Sequence, residues 1–244
     1  MCWSATADLV AGTAIASVGA VCVARTRRAG DLPLAALPLL LGAHQLVEAQ
    51  IWHTGGGTGA ATVAWAVIAL PVLAVWVPVG VWCAVPRRTG RRVTPVVAVG
   101  AVTAAFLAHA LATRPVRAEI RGHTMAYVIG LPHAELLVVG YLIATVGALL
   151  LSGDRRLTVL GILTGAGALL WRLEFVSTWC ALAAICSVVL YGWVRTHVPR
   201  RGRFSPGGTS GTDQRAQQSR AGRPASSAPP SGRRHDHVGR DADQ

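Results

Sequence analysis

ATVAWAVIALPVLAVWVPVGVWCAVPRRTGRR, residues 61–92, reads as a membrane crossing followed by its stop. No charged side chain occurs from Ala61 to Val85, and four arginines then fall within six positions, at Arg87, Arg88, Arg91 and Arg92. A hydrocarbon core about 30 Å thick is spanned by roughly 20 apolar residues in helix, so the run is long enough to cross. Arginine gathered at the end of such a run marks the side held in the cytoplasm.

The same pattern recurs outward from this stretch. Arg25, Arg27 and Arg28 close the first apolar run, and Arg155 and Arg156 follow the fifth. An arginine-dense tail begins at Arg195, after the last run. The connection between the second and third runs carries no arginine. Seven apolar segments are expected as helices: Ala5–Ala24, Leu32–Trp52, Ala61–Val85, Val93–Ala112, His133–Leu151, Leu157–Phe175 and Val176–Val194. The arginine alternation places the N-terminus outside and the C-terminus in the cytoplasm. The expected fold is therefore all-α, a polytopic transmembrane bundle over residues 1–195. Residues 1–24 lack a positive segment ahead of the apolar run, so they read as a first span rather than a cleaved leader.

Composition agrees. Of 244 residues 52% are apolar and 14% charged, against about 25% charged in soluble domains. The net charge of +12 is explained by loops facing one way and by attraction to anionic lipid at that surface, and no nucleic-acid partner is expected. The absence of lysine, with abundant Ala, Gly, Val and Arg, suggests a high-GC bacterial genome and a cell-membrane location. Residues 196–244, rich in Arg, Pro, Gly and Ser, are expected to be a disordered cytoplasmic tail, since they cannot bury enough surface to offset ordering. His235 and His237 within it are too few for a metal site.

Between the fourth and fifth spans, residues 113–132 are unusual. Val116, Ala118 and Ile120 alternate with Arg117, Glu119 and Arg121, and a second extended run follows Gly122. That pattern predicts a two-stranded hairpin over the outer mouth, acting as a lid, or else a solvated loop. Gly161 and Gly165, with Ala168 nearby, predict close packing of the sixth helix on a neighbour. Trp3, Trp52, Trp82, Trp171, Trp179 and Trp193 fall near span ends, as an interfacial belt requires.

Ionisable groups in hydrocarbon are costly and are functional candidates. Residues 42–48 read Gly-Ala-His-Gln-Leu-Val-Glu, and His44 and Glu48, four apart, share a helix face beside Gln45. The expected topology collects Ser4, Asp8, His44, Gln45, Glu48, His109, His133, Glu135, Arg172 and Glu174 in the outer half. Such a group has three uses. A polar, outward-facing pocket could bind a small ligand or relay protons, in sensing or transport. A transition metal could sit on His44, Glu48 and His109, with His133 as a further ligand, which would also suit a metal-dependent membrane hydrolase. Alternatively the polar groups hydrogen-bond between helices, with Arg172 paired to Glu48 or Glu174. Retinal is excluded because its Schiff base needs a lysine. Cys2 and Cys180 both fall at the outer surface, where they could form a disulfide, supply a thiolate or stand free.

The opening Met-Cys-Trp-Ser-Ala, the Leu-Leu-Gly-Ala-His-Gln-Leu-Val-Glu of the second span and the Val-Ser-Thr-Trp-Cys-Ala-Leu-Ala-Ala of the seventh resemble an uncharacterised family of bacterial multi-pass membrane proteins. Its members open with Met-Cys-Phe/Trp-Ser-Ala and carry a Ser-x-Trp-Cys block in the last span. The resemblance covers residues 1–195. It implies no activity, but it draws attention to Cys2, Ser4, Glu48, Trp179 and Cys180. Many members have Gln where His44 stands here, which argues against an indispensable metal role for that residue.

Overall fold

A computed structural model describes residues 4–122, 124–171 and 178–197, without the side chains of residues 170, 171, 178–182, 195 and 197. Cys2, Arg172, Glu174, the Cys180 side chain and the expected tail from residue 198 onward lie outside the described residues.

The described chain is mostly helical. Helix α1 is Ala5–Arg25, α2 is Ala29–His53, α3 is Ala60–Ala84 and α4 is Arg87–Thr113. Strands β1 (Val116–Arg121) and β2 (Thr124–Ile129) follow, then α5, Ala134–Leu151. Helix α6 is Arg155–Trp171 and α7 is Thr178–His197. Among the described residues α1 to α5 are long and apolar enough to cross a bilayer. Helices α6 and α7 occupy the places where the sixth and seventh segments were expected. Large apolar side chains lie exposed around the bundle, among them Val10, Phe106, Leu136 and Val188, as suits an exterior solvated by lipid rather than water.

Element boundaries follow local chemistry. Ser4 is extended at the N-cap of α1, and its Oγ accepts the Ala7 N–H at 3.2 Å, satisfying one of the orphan donors of the first turn. Helix α2 opens through a 3-10 turn at Ala29–Asp31. The helix is interrupted at Ala36, and Pro33 and Pro38 stand in the first turns of the segments Leu32–Ala35 and Leu37–His53 on either side, where a missing N–H costs little. Helix α4 starts earlier than expected: Pro86 is its N-cap, so Arg87 to Arg92 form its opening turns instead of a loop. Pro71 sits inside a π-turn, Ile68–Val72, and a second π-turn occupies Ile143–Gly147 in α5. The Tyr141 hydroxyl of α5 donates to the Ala69 carbonyl of the first π-turn at 2.9 Å. That π-turn absorbs the missing Pro71 N–H, one of the local adjustments by which proline is tolerated in an apolar span.

Helices α1 and α2 pack with their backbones nearly in contact. A Cβ at Gly19 would lie 2.3 Å from the Leu39 nitrogen, one at Gly42 2.5 Å from the Ala16 nitrogen, and one at Gly12 3.0 Å from Gln45 Cβ. Small residues allow this approach, and they fix an antiparallel register in which each turn climbed on α1 faces a turn descended on α2. Continued one more turn beyond Gly12, that register sets Asp8 opposite the Glu48–Trp52 turn. The predicted packing of α6 also finds its partner: a Cβ at Gly161 would meet Leu149 Cβ of α5 at 2.9 Å, and one at Gly165 would meet Val146 of α5 at 3.5 Å.

Contacts between loops define two ends. At one end a Cβ on Gly30 would meet the Cys83 carbonyl at 2.7 Å, and one on Gly153 would meet Thr89 at 3.8 Å. There too Arg25 donates to the Tyr191 hydroxyl at 3.0 Å, and Arg156 donates to the Gly192 carbonyl. The groups Arg25–Arg28, Arg87–Arg92 and Arg155–Arg156 therefore share one end of the bundle, as their spacing predicted.

The opposite end carries the hairpin. Strands β1 and β2 pair antiparallel from Val116↔Ile129 to Arg121↔Thr124, with Gly122 at φ 61° in the turn. The alternation read from sequence is realised at Val116 and Ala118, which are buried, while Ile120 near the tip is exposed. The hairpin is bound to the α2–α3 loop: the Gly57 N–H donates to the Ala118 carbonyl at 2.8 Å and the Ala118 N–H to the Gly57 carbonyl at 2.9 Å. Gly55, Gly56 and Gly57 have φ of 74°, 84° and 95°, a left-handed run that L side chains resist. A Cβ at Gly56 would also lie 2.6 Å from the Ala118 carbonyl oxygen. Below this joint Val116, Ala118 and Met125 of the hairpin pack with Ile51, Trp65 and Ala66.

Candidate functional site

The close register of α1 and α2 leads to a region where, among the described residues, two buried carboxyls approach each other. Asp8 is 0% and Glu48 1% exposed. They lie near enough that the Asp8 charge acts on Glu48, and both act on Tyr127 of β2. Trp52 lies on the same face of α2 as Glu48, four residues on, in the turn that the helix register sets opposite Asp8. Trp65, in the first turns of α3, donates its indole N–H to Glu48 Oε2 at 3.3 Å.

An aromatic stack roofs this group. The rings of Trp65 and Tyr127 stack at 3.5 Å between centroids with an interplanar angle of 6°. The His44 ring meets the same indole at 4.9 Å and 40°. The Tyr127 hydroxyl turns aside to Met125 Sδ, 3.1 Å away. Burial first, then the Glu48 and Asp8 carboxylates, push the Tyr127 phenol far above the ordinary tyrosine range, so it remains an uncharged lid residue. Hairpin, α2–α3 loop and stack thus close over the acid pair.

Three polar atoms of this group are enclosed without a hydrogen-bond partner among the described residues: the acceptor Glu48 Oε1, His44 Nε2 and the donor Trp52 Nε1. A buried acceptor left unmade costs about 1–3 kcal/mol, so a site of this kind is completed by a donor. Gln45, 5% exposed, adds an amide on the same face of α2.

The sequence grouping is realised in part. Asp8, His44, Gln45 and Glu48 come together at the hairpin end, and Ser4 stands one turn before Asp8 as an exposed cap. His109, His133 and Glu135 do not join them; all three are exposed. Helix α4 turns Thr103, Leu107 and Ala110 inward, which carries His109 to the outer face. His133 adopts a left-handed conformation, φ 50°, as the N-cap of α5 and heads away with that helix. The expected metal set of His44, Glu48 and His109 is therefore not formed, and among the described residues no three His, Cys, Asp or Glu side chains gather to hold a metal ion.

Sequence reasoning missed Trp65 and Tyr127 and assigned Trp52 to an interfacial belt. Tyr127 was visible in principle, because the hairpin alternation places it opposite Ala118, across the pair from an inward residue. Trp65 gave no local signal: it lies in an unbroken apolar run, and what distinguishes it is the distant carboxylate it meets.

Five described helices long and apolar enough to cross a bilayer point to a helical membrane protein, with the buried Asp8 and Glu48 at its hairpin end. The family model described as a family of unknown function (DUF6629) matches residues 1–203, and the chain belongs to that family. Neither the curated proteins nor the solved structures contain a match.

Proposed function

We propose that the chain is a multi-pass bacterial cell-membrane protein, crossing seven times with its N-terminus outside, whose hairpin end takes up a proton or a small cationic ligand from the exterior in sensing or transport. The observation that carries the reading is the enclosed Glu48 Oε1, held beside Asp8 and under the Trp65–Tyr127 stack with no donor of its own. A carboxylate oxygen without a donor in an apolar shell attracts a proton, or an ammonium that brings both charge and N–H groups. His44 Nε2 supplies a second contact for such a guest. The membrane-hydrolase alternative loses support with the dispersal of His109 and His133.

Orientation follows from arginine placement at the opposite end. In a cysteine-free background, Thr54→Cys should label from outside intact cells and Thr89→Cys only after permeabilisation; the reverse pattern overturns the orientation. For the site, the full chain in proteoliposomes is stepped in external pH, or given external ethylammonium, while infrared difference spectra are recorded. A carboxyl band should change and should vanish in Glu48→Gln. A spectrum identical in wild type and variant overturns the site.

A further inference from the structure

At the arginine end, α6 and α7 leave a groove of about 470 Å³ lined by Arg155, Arg156, Val159, Val188, Val189 and Gly192. Among the described residues its lining contains two arginines and no acidic side chain. The nearest carboxylate in sequence, Asp154, accepts the backbone N–H of Arg156 at 2.8 Å and of Leu157 at 3.3 Å, capping α6. The Arg156 guanidinium gives one N–H to the Gly192 carbonyl, which leaves the rest of its five-donor fork for another acceptor.

The groove is graded along its length. Helix α6 starts at Arg155, so Val159 lies one turn deeper into the bundle. Helix α7 runs the other way, so Val188 lies one turn deeper than Gly192. A helical turn is about 5.4 Å; charge thus sits at the mouth and apolar walls about a turn below it. Val159 and Val188 are 42% and 66% exposed, so those walls are open to whatever solvates the bundle. A basic mouth over an apolar slot matches the layering of a membrane leaflet, with phosphate at the headgroup level and hydrocarbon beneath.

We infer that this α6–α7 groove binds one anionic glycerophospholipid, its phosphate on Arg155 and Arg156 and an acyl chain along Val159, Val188 and Val189. General attraction of anionic lipid to a basic surface is diffuse; this groove gives it an address. The site is independent of the acid pair at the hairpin end.

The test is native mass spectrometry of the full chain released from nanodiscs holding equal phosphatidylglycerol and phosphatidylcholine. One phosphatidylglycerol should stay bound in preference to phosphatidylcholine. Its retention should fall by about tenfold or more in Arg155→Gln/Arg156→Gln, since each arginine near the surface contributes about 1 kcal/mol of attraction. Arg87→Gln/Arg88→Gln removes the same charge from exposed positions at the same end and should keep the lipid. Val188→Trp should lose it with every arginine in place, and this variant carries the test if the double arginine variant does not fold. Equal retention of the two lipids overturns the inference. So does equal loss in the two arginine pairs, or a lipid that survives Val188→Trp. Displacement of the bound lipid by inorganic phosphate alone would reduce the groove to an anion site and also overturn it.

Discussion

The two ends of this bundle handle charge in opposite ways. At the hairpin end Asp8 and Glu48 are buried, pressed against Trp52 and Trp65 and roofed by Tyr127. At the other end the arginines are largely exposed, and those that make contacts do so with one guanidinium face, Arg25 on Tyr191 and Arg156 on Gly192. Asp31 is the exception there, 5% exposed at the opening of α2. An arginine on a long stem can keep its head in water while its methylenes cover apolar surface. A carboxylate on a short stem within a helix cannot, so an acid at Asp8 or Glu48 is either paired inside or answered by a ligand. Under the function proposed above, the basic end orients the chain and the acidic end receives the guest.

The largest effect is expected where both ends depend on one contact. Gly19 allows α1 and α2 to touch, with a Cβ already 2.3 Å from the Leu39 backbone. Gly19→Leu should force the helices apart and cost at least the ~1–3 kcal/mol typical of overpacking. Because the same register brings Asp8 to Glu48, exchange protection should fall at both ends, read by hydrogen–deuterium exchange of the purified chain. Loss confined to the arginine end would show that the acid pair is positioned by something other than this helix pair.

A smaller, local effect is expected at the acid pair. Trp65→Phe keeps an aromatic ring against Tyr127 but removes the N–H that Glu48 Oε2 accepts at 3.3 Å. Leaving that oxygen unmade should cost about 1–3 kcal/mol, measured as a lower thermal midpoint. Glu48→Leu placed on top of Trp65→Phe should cost less than the two single changes added, since the orphaned acceptor is gone. Exchange should rise in β1, β2 and the Gly55–Gly57 loop and stay unchanged around Arg156 and Gly192. Strict additivity would mean that Trp65 and Glu48 are neighbours without an interaction.

The fold was more legible than the site, for a physical reason. Crossing helices are written locally, as unbroken apolar runs ending in arginine, and the hairpin as alternation at Val116 to Arg121; α1 to α5 and both strands follow those signals. Asp8, His44, Gln45 and Glu48 were found because buried polarity within an apolar run is itself a signal. Depth alone could not say which way each helix face turns. His109 is expected in the same outer half as Glu48 but is exposed on α4, while Trp65, apolar in any local reading, is set apart only by its hydrogen bond to Glu48. Residue type and depth select candidates; helix rotation decides among them.

The smallest effect should come from the aromatic contact at the basic end. Arg25 donates to the Tyr191 hydroxyl at 3.0 Å and lies 5.8 Å from its ring centroid. Both ends therefore use an aromatic ring against a charged group, but here the charge is exposed and keeps its water. Arg25→Gln should lower stability by only about 0.5–1 kcal/mol, the scale of exposed cation–π contacts, because the freed hydroxyl and the lost charge are both hydrated. High salt should shrink even that difference, whereas the Trp65→Phe deficit should be insensitive to salt, since buried partners are poorly screened. Paired thermal midpoints of the two variants at low and high ionic strength make the comparison. If Arg25→Gln matched Trp65→Phe in size and in salt response, burial would not be what separates the two ends, and the acid pair would have no stronger claim to a ligand than the arginines do.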